Sequence, residues 1–595
     1  FFHIGVLAQM AEQGLLRHVE VISTVSGGSI IGALYYLHVK RLLETRTDGA
    51  IGDQDYVAIV EIIEKDFKVA TDHNIRMSTF ADLKANFSFR KKDYSRSDRI
   101  SELYNDLIYQ GVLPDAPNPA NPAQQPGVSN PVQMRELKIF PLTAPGAWDT
   151  SFSPRAGNAG RQAKVPMLII NSTSLNTARA WQFTAQSMGE PIAHTAKGTP
   201  IYEETDSKPL RLRWARPSYD NISPRQQKFS LGHAVGASAC VPVLFPPLSI
   251  SDLYTDIRVQ LVDGGVFDNQ GIESLQYEEC THYVVSDASG QIGIENEPQT
   301  GSFPVLTRTS NDIYPDRVRT ESLQKLFAKN GRDYANRVTN PNWRGNIAFM
   351  HLRKGLGVAE IPWNDANNLP AGPINNTPPN TAVYGVAAEV QDRLSKIRTD
   401  LDAFSEVEAF TLMLDGYRMS NPELAALAAG AFPAGAAGPQ PGAWGFKDIA
   451  PWINAPTPDY LKQLKVSNYL FGKALFLIPW LAALAAAAVL LLLIALWPWL
   501  WTLFTSNIQI SIPGSAVAII LLMVLVGKFA PRLEKAFNFF KLLRAPLETL
   551  RRLLFSVAPA VLIGTGIVQL YLKLINPLYL KRGSVAELER RKPGS

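Results

Sequence analysis

Cysteine is nearly absent, with only Cys240 and Cys280 in 595 residues. One possible pair makes no disulfide framework, and the two show no metal-ligand spacing, so a stapled secreted scaffold and a zinc module are both excluded. Both cysteines fall in apolar or strand-like surroundings, which indicates a reducing compartment for the soluble part. Histidine is also sparse, at eight residues. No EF-hand loop is present, and no metal or organic cofactor is implied. Repeats of solenoid length are missing. Charge of one sign is modest, +5 overall. Much of that excess lies beside apolar segments near the C-terminus, which points to anionic lipid surfaces; nucleic acid is not needed to explain it. The longest absence is of charge itself, none occurring from Ala474 to Phe504.

At 595 residues the chain exceeds one compact core, so a catalytic domain with a further region is expected. It opens on Phe1-Phe2-His3 with a strong pattern already under way, which reads as a fragment and leaves a signal peptide open. Ile4, Leu7, Met10 and Ala11 recur at helical spacing before Gly14. Val19 to Val25 reads as a strand, Ser26-Gly27-Gly28-Ser29 as a tight turn, and Ile30 to Lys40 as a helix. Further strands are predicted at Val165–Asn171, Val259–Val262, Tyr283–Ser286 and Ile347–Leu352, interleaved with helical stretches. The fold class so read is α/β with a mostly parallel central sheet, followed by an α-helical membrane region.

The expected domains are a catalytic unit over 1–424, a linker over 425–466, a transmembrane region over 467–580 and a basic tail over 581–595. Pro-rich stretches near 114–131 and 362–379 read as surface insertions. The apolar run from Ala474 to Phe504 exceeds the roughly 20 residues that cross a bilayer, with Trp480, Trp497, Trp499 and Trp501 at its ends. A second run spans Ala516–Val526, and a third, Phe555–Leu572, is interrupted by Pro559, Gly564 and Gly566. The loop between the second and third holds Lys528, Arg532, Lys535, Lys541, Arg544, Arg551 and Arg552, which places it and the catalytic domain on the cytoplasmic side. Three crossings would put the equally basic tail outside, so either the third run re-enters or the charge rule fails there.

Two short motifs carry chemistry. A serine on a sharp strand-to-helix turn exposes its hydroxyl at a sheet end, and the following helix N-terminus favours a developing oxyanion. Thr24-Val25-Ser26-Gly27-Gly28 fits that pattern with Thr24 where a glycine is usual. Gly27 and Gly28 supply steric room for the turn and the substrate. Leu261-Val262-Asp263-Gly264-Gly265 ends an apolar strand on a carboxylate that can accept a serine proton. His3 and His233 are rival bases, and Asp268 and Asp287 rival carboxylates, none followed by a Gly-Gly pair.

Taken together, these motifs resemble the patatin-like phospholipase family over about residues 1–420. Val235 to Pro247 is similar to that family's Ala-Ser-x-Ala-x-Pro-x-x-Phe-x-Pro block. Asn171-Ser172-Thr173 through Arg179, and Arg398 to Asp402 with Glu408 and Gly416-Tyr417, add two more ordered matches. The resemblance implies a three-layer sandwich, Ser26 as nucleophile, Asp263 as general base supported by Gly264 and Gly265, and no histidine in the reaction. It also implies a glycine-rich oxyanion loop, expected upstream of Phe1. The function expected is a membrane-anchored lipid acyl hydrolase cleaving ester bonds of phospholipids or lysophospholipids through an acyl-enzyme, its partners being the lipid substrate and the bilayer. Acyl transfer to an alcohol and a non-catalytic lipid-binding scaffold are the alternatives.

Overall fold

The computed structural model describes residues 1–591 apart from 83–92, 115–127, 192–213, 215, 290–296, 330–345, 360, 372–375, 378–383, 398–400, 432–440, 470–471, 485, 488–489, 492–493, 495–565 and 567. The elements that frame the site begin with helix α1 (Phe2–Glu12), strand β1 (Val21–Val25), and helices α2 (Gly27–Thr45), α3 (Asp53–Asp72) and α4 (Arg96–Tyr104). Strands β2 (Met167–Ser174), β3 (Arg179–Phe183) and β4 (Met188–Gly189) precede helix α5 (Leu231–Ser238). Then come β5 (Leu248–Tyr254), β6 (Ile257–Asp263), α6 (Ile272–Tyr277), β7 (Tyr283–Asp287), α7 (Tyr314–Lys329) and β8 (Ile347–His351). The C-terminal half contributes α8 (Glu406–Ala431), α9 (Pro458–Val466), α10 (Lys473–Leu477), α11 (Asn576–Arg582) and α12 (Val585–Glu589).

Helix α1 is apolar on most of its surface and buries Phe2, Ile4, Val6, Ala8, Met10 and Ala11. It crosses α8 at backbone distance because each helix offers a glycine at the crossing. A Cβ on Gly5 would fall 1.8 Å from the Met413 carbonyl oxygen, and one on Gly416 would fall 2.3 Å from the Phe2 oxygen.

The main sheet has six strands and is mostly antiparallel, which corrects the expected parallel sheet and with it the predicted sandwich. Only β1 runs parallel to its partner β2; the pairings of β2 with β3, β2 with β6, β3 with β4 and β5 with β6 are all antiparallel. The reason is local. Four residues, Leu175 to Ala178, join β2 to β3, and two, Thr255 and Asp256, join β5 to β6, with Ala178 and Asp256 at positive φ. Connections this short permit only hairpins, whereas parallel neighbours need a crossover of a dozen residues or more. β7 and β8 form a separate parallel pair.

Strand β2 is the template on which the site is set. β3 lies along one of its edges. The opposite edge is shared end to end: β1 covers it up to the Val25–Asn171 pair, and β6 takes over at the Asp263–Ser172 pair. The chain leaving β1 and the chain leaving β6 therefore meet above adjacent residues of one strand.

Of the expected α-helical membrane region only part is described, and among the described residues no helix is long and apolar enough to cross a membrane. α10 ends at Leu477, and Ile478 is extended, with φ −121° and ψ 92°. Pro479 follows, and the residue before a proline is pushed out of the helical region. Residues 479–484 then return to helix. All of the second apolar run, most of the third, and the basic loop between them lie outside the described residues. The stretch expected as a linker is partly built into the core, since Trp444, Phe446, Ile449, Trp452, Ile453, Tyr460 and Leu464 are all buried. The basic tail folds back: Arg582 and Arg591 both reach Asp459 of α9, and Leu588 joins the main core.

Candidate active site

Ser26 follows β1 and stands as the N-cap of α2 with φ 52° and ψ −130°. For a residue with a side chain this conformation costs on the order of 1–3 kcal/mol and persists only where the surroundings hold it. The bend thus resides in the serine itself. Gly27 and Gly28 are helical, and their contribution is space: a Cβ on Gly27 would meet nothing within 4 Å, and one on Gly28 only His3 Nε2, at 3.8 Å. Lying in the first turn of α2, their amides have no partner within the helix. Thr24, which departs from the usual glycine, is accommodated from the other side. Its methyl group occupies the place a side chain at Gly32 would need, 2.4 Å from that Cβ position.

Several hydroxyls clamp the turn. The Ser26 amide donates to Ser238 Oγ at 3.0 Å, and Ser238 donates to the Asn171 carbonyl at 2.5 Å. Ser29 Oγ lies 2.8 Å from Ser238 and donates to Thr24 Oγ1 at 3.1 Å, which itself donates to the Ile169 carbonyl. The Asn171 side chain donates to Ser23 Oγ and the Thr24 carbonyl and accepts from Ser274.

Asp263 is the last residue of β6, 5% exposed. Its Oδ1 accepts the Gly265 amide at 2.7 Å, while among the described residues nothing hydrogen-bonds Oδ2. Burial pushes its pKa up to about 6; the nearby Ser26 hydroxyl, then the Gly265 amide, pull it partway back. The hydroxyl is thus close enough to favour the ionised carboxyl without closing a hydrogen bond to Oδ2. Such pairs commonly tighten only when substrate is bound. Gly264 has to be glycine, because a Cβ there would sit 2.4 Å from the Asn171 carbonyl oxygen.

The rival groups are engaged with other partners. His233 pairs with Ser230 at 2.7 Å and faces Asp98 at 3.6 Å. His3 bonds Ser286 at 2.7 Å, and burial lowers its pKa to about 4, so it is neutral near pH 7. Asp268 accepts the Glu273 amide at the start of α6, and Asp287 accepts from Gln270 and Ser289. Ser238, Ser29 and Asn171 were not singled out in the sequence for these roles; Ser238 does stand inside the Val235–Pro247 block.

Ser26 and Asp263 open on a cavity of about 1130 Å³. Its walls include Val6, Leu7, Phe67, Ile75, Leu244, Phe245 and Phe404, and strands β1 and β7 both line it. Of its lining residues Leu244 is exposed, and the adjoining Val243, also exposed, has φ 72°, an unusual conformation for a β-branched residue. Among the described residues no cluster of histidine, cysteine and carboxylate side chains could hold a metal ion. A strained serine at a helix N-terminus beside a desolvated carboxylate, facing an apolar cavity, can perform acyl transfer through a covalent intermediate. Comparison with protein-family models and with curated proteins gave no match.

Proposed function

We propose that the protein is a serine acyl hydrolase of lipids, akin to the patatin-like phospholipases, with Ser26 as nucleophile and Asp263 as the single base. The observation that carries this reading is the buried Oδ2 of Asp263, without a closed hydrogen bond among the described residues, beside the Ser26 hydroxyl. In the first half-reaction Asp263 takes the hydroxyl proton as Ser26 attacks the ester carbonyl, and the proton passes to the departing alcohol. Water then loses a proton to Asp263 and attacks the acyl-enzyme; as the bond to Ser26 Oγ breaks, Asp263 returns the proton to that oxygen, and a fatty acid is released. The amides of Gly27 and Gly28, in the first turn of α2, serve as oxyanion donors.

A lipid substrate is favoured by the apolar walls of the cavity. Action at a bilayer surface is favoured by the exposed large apolar side chains of Phe476, Trp480, Leu484, Leu491 and Ile494. The test is fatty-acid release from mixed phospholipid and neutral-lipid vesicles by the full chain, Ser26→Ala and Asp263→Asn. Release by the wild type with loss in both variants supports the dyad. Equal inertness of all three favours a lipid-binding scaffold, and transfer of acyl groups to added alcohol in preference to water favours an acyltransferase.

A further inference from the structure

We propose that Ser238 is the positioning residue that holds Ser26 in its reactive conformation, a role that rests on the reading of Ser26 as nucleophile. A residue at φ 52° and ψ −130° relaxes unless something outside its own turn retains it. That something is a side chain 212 positions away in sequence, whose Oγ accepts the Ser26 amide at 3.0 Å. Ser238 is suited to this because its own freedom is gone. It is fully buried, its proton is committed to the Asn171 carbonyl at 2.5 Å, and its lone pairs are left to face the Ser26 amide.

The helix that delivers Ser238 is fixed in turn. α5 lies on α4 so closely that a Cβ on Gly232 would fall 2.3 Å from the Ser101 carbonyl oxygen, and one on Gly236 would fall 1.9 Å from Ser101 Oγ. The Asn171 carbonyl is also the atom against which Gly264, next to Asp263, is seated at 2.4 Å from the Cβ position. One backbone oxygen of β2 therefore sets the height of both halves of the dyad, through Ser238 on one side and Gly264 on the other. A second consequence concerns the oxyanion: with the Ser26 amide engaged by Ser238, the donors left at this turn are those of Gly27 and Gly28.

The test uses the full chain and a fluorophosphonate probe, which reports nucleophile reactivity without a known substrate, together with kcat and KM on a p-nitrophenyl ester. Ser26→Ala serves as the blank. Ser238→Ala is expected to react on the order of 100-fold more slowly, the scale of a small misplacement of a reacting atom. KM should be unchanged, the loss falling on kcat. Ser238→Cys, of nearly the same shape but a weaker acceptor, should recover part of the rate and keeps the test open if the alanine variant does not fold. Labelling of either variant at the wild-type rate overturns the role, as does a loss appearing wholly in KM. A wild-type protein no more reactive than the blank overturns the nucleophile assignment, and the role of Ser238 with it.

Discussion

A buried carboxyl whose second oxygen has no partner is a group under electrostatic load, and Asp263 is in that position. Its neighbours Tyr104 and Cys240 are themselves pushed up by burial and stay neutral, so they do not share its proton. As the proposed base it must be ionised, so kcat/KM should fall on the acid side with an apparent pKa near 6, readable from a pH–rate profile. Stability runs the other way. The folded pKa of about 6 lies above the ordinary 3.8, so the folded state holds the proton more tightly. The corresponding stabilisation is full below 3.8 and is lost as pH rises through 6, a change of about 3 kcal/mol. Asp263→Asn, which cannot ionise, should gain stability relative to the wild type between pH 4 and pH 8 in urea titrations while losing activity; an unchanged difference across that range would refute the load. The two glycines beside it should separate. Gly264→Ala meets rigid backbone at Asn171 and should cost about 1–3 kcal/mol, whereas Gly265→Ala meets the movable Asn269 side chain at 2.7 Å and should show mainly in rate.

At the scale of elements, the sequence carried the parts of the site that are local. An apolar run ending in Ser-Gly-Gly-Ser marks the turn at Ser26, and another ending in Asp-Gly-Gly marks Asp263, because each is a strand followed by residues small enough for a sharp turn. Sheet direction was not legible in the same way, because β3 and β5 were not recognised. Their inward residues, Trp181 and Phe183 in one and Leu248 and Ile250 in the other, alternate with polar ones, the period-two pattern of a strand paired in a hairpin. Ser238 was illegible for another reason: its role exists only once α5 has packed on α4 and brought it to a turn far away in sequence. The C-terminal helices hide a comparable long-range device. Lys473 of α10 reaches Asp402 at 3.0 Å and Glu408 at 3.7 Å, and Tyr579 of α11 donates to Glu408 at 2.6 Å. All four are nearly or fully buried. Lys473→Met should therefore destabilise by about 3–5 kcal/mol, since it leaves buried Glu408 without its cation and Asp402 with Arg76 alone, and thermal unfolding should register it. Tyr579→Phe should cost about 1–3 kcal/mol by the same measurement.

For the whole molecule, that cluster fixes where the chain goes out and where it comes back. Leu477, Ile478 and Leu481 pack with Tyr579, with Ile575 and Leu578 against the same cluster, so the departing and returning ends lie side by side. Just before the return, Gln569 also donates to the Ala81 carbonyl at 3.2 Å. Joining the chain just after Leu481 to just before Ile575 with a short flexible linker should then close a small loop at little entropic cost. The protein so shortened is expected to fold with α11 and α12 in place, to keep the fluorophosphonate reactivity of Ser26, and to lose preference for vesicle-borne over dispersed ester.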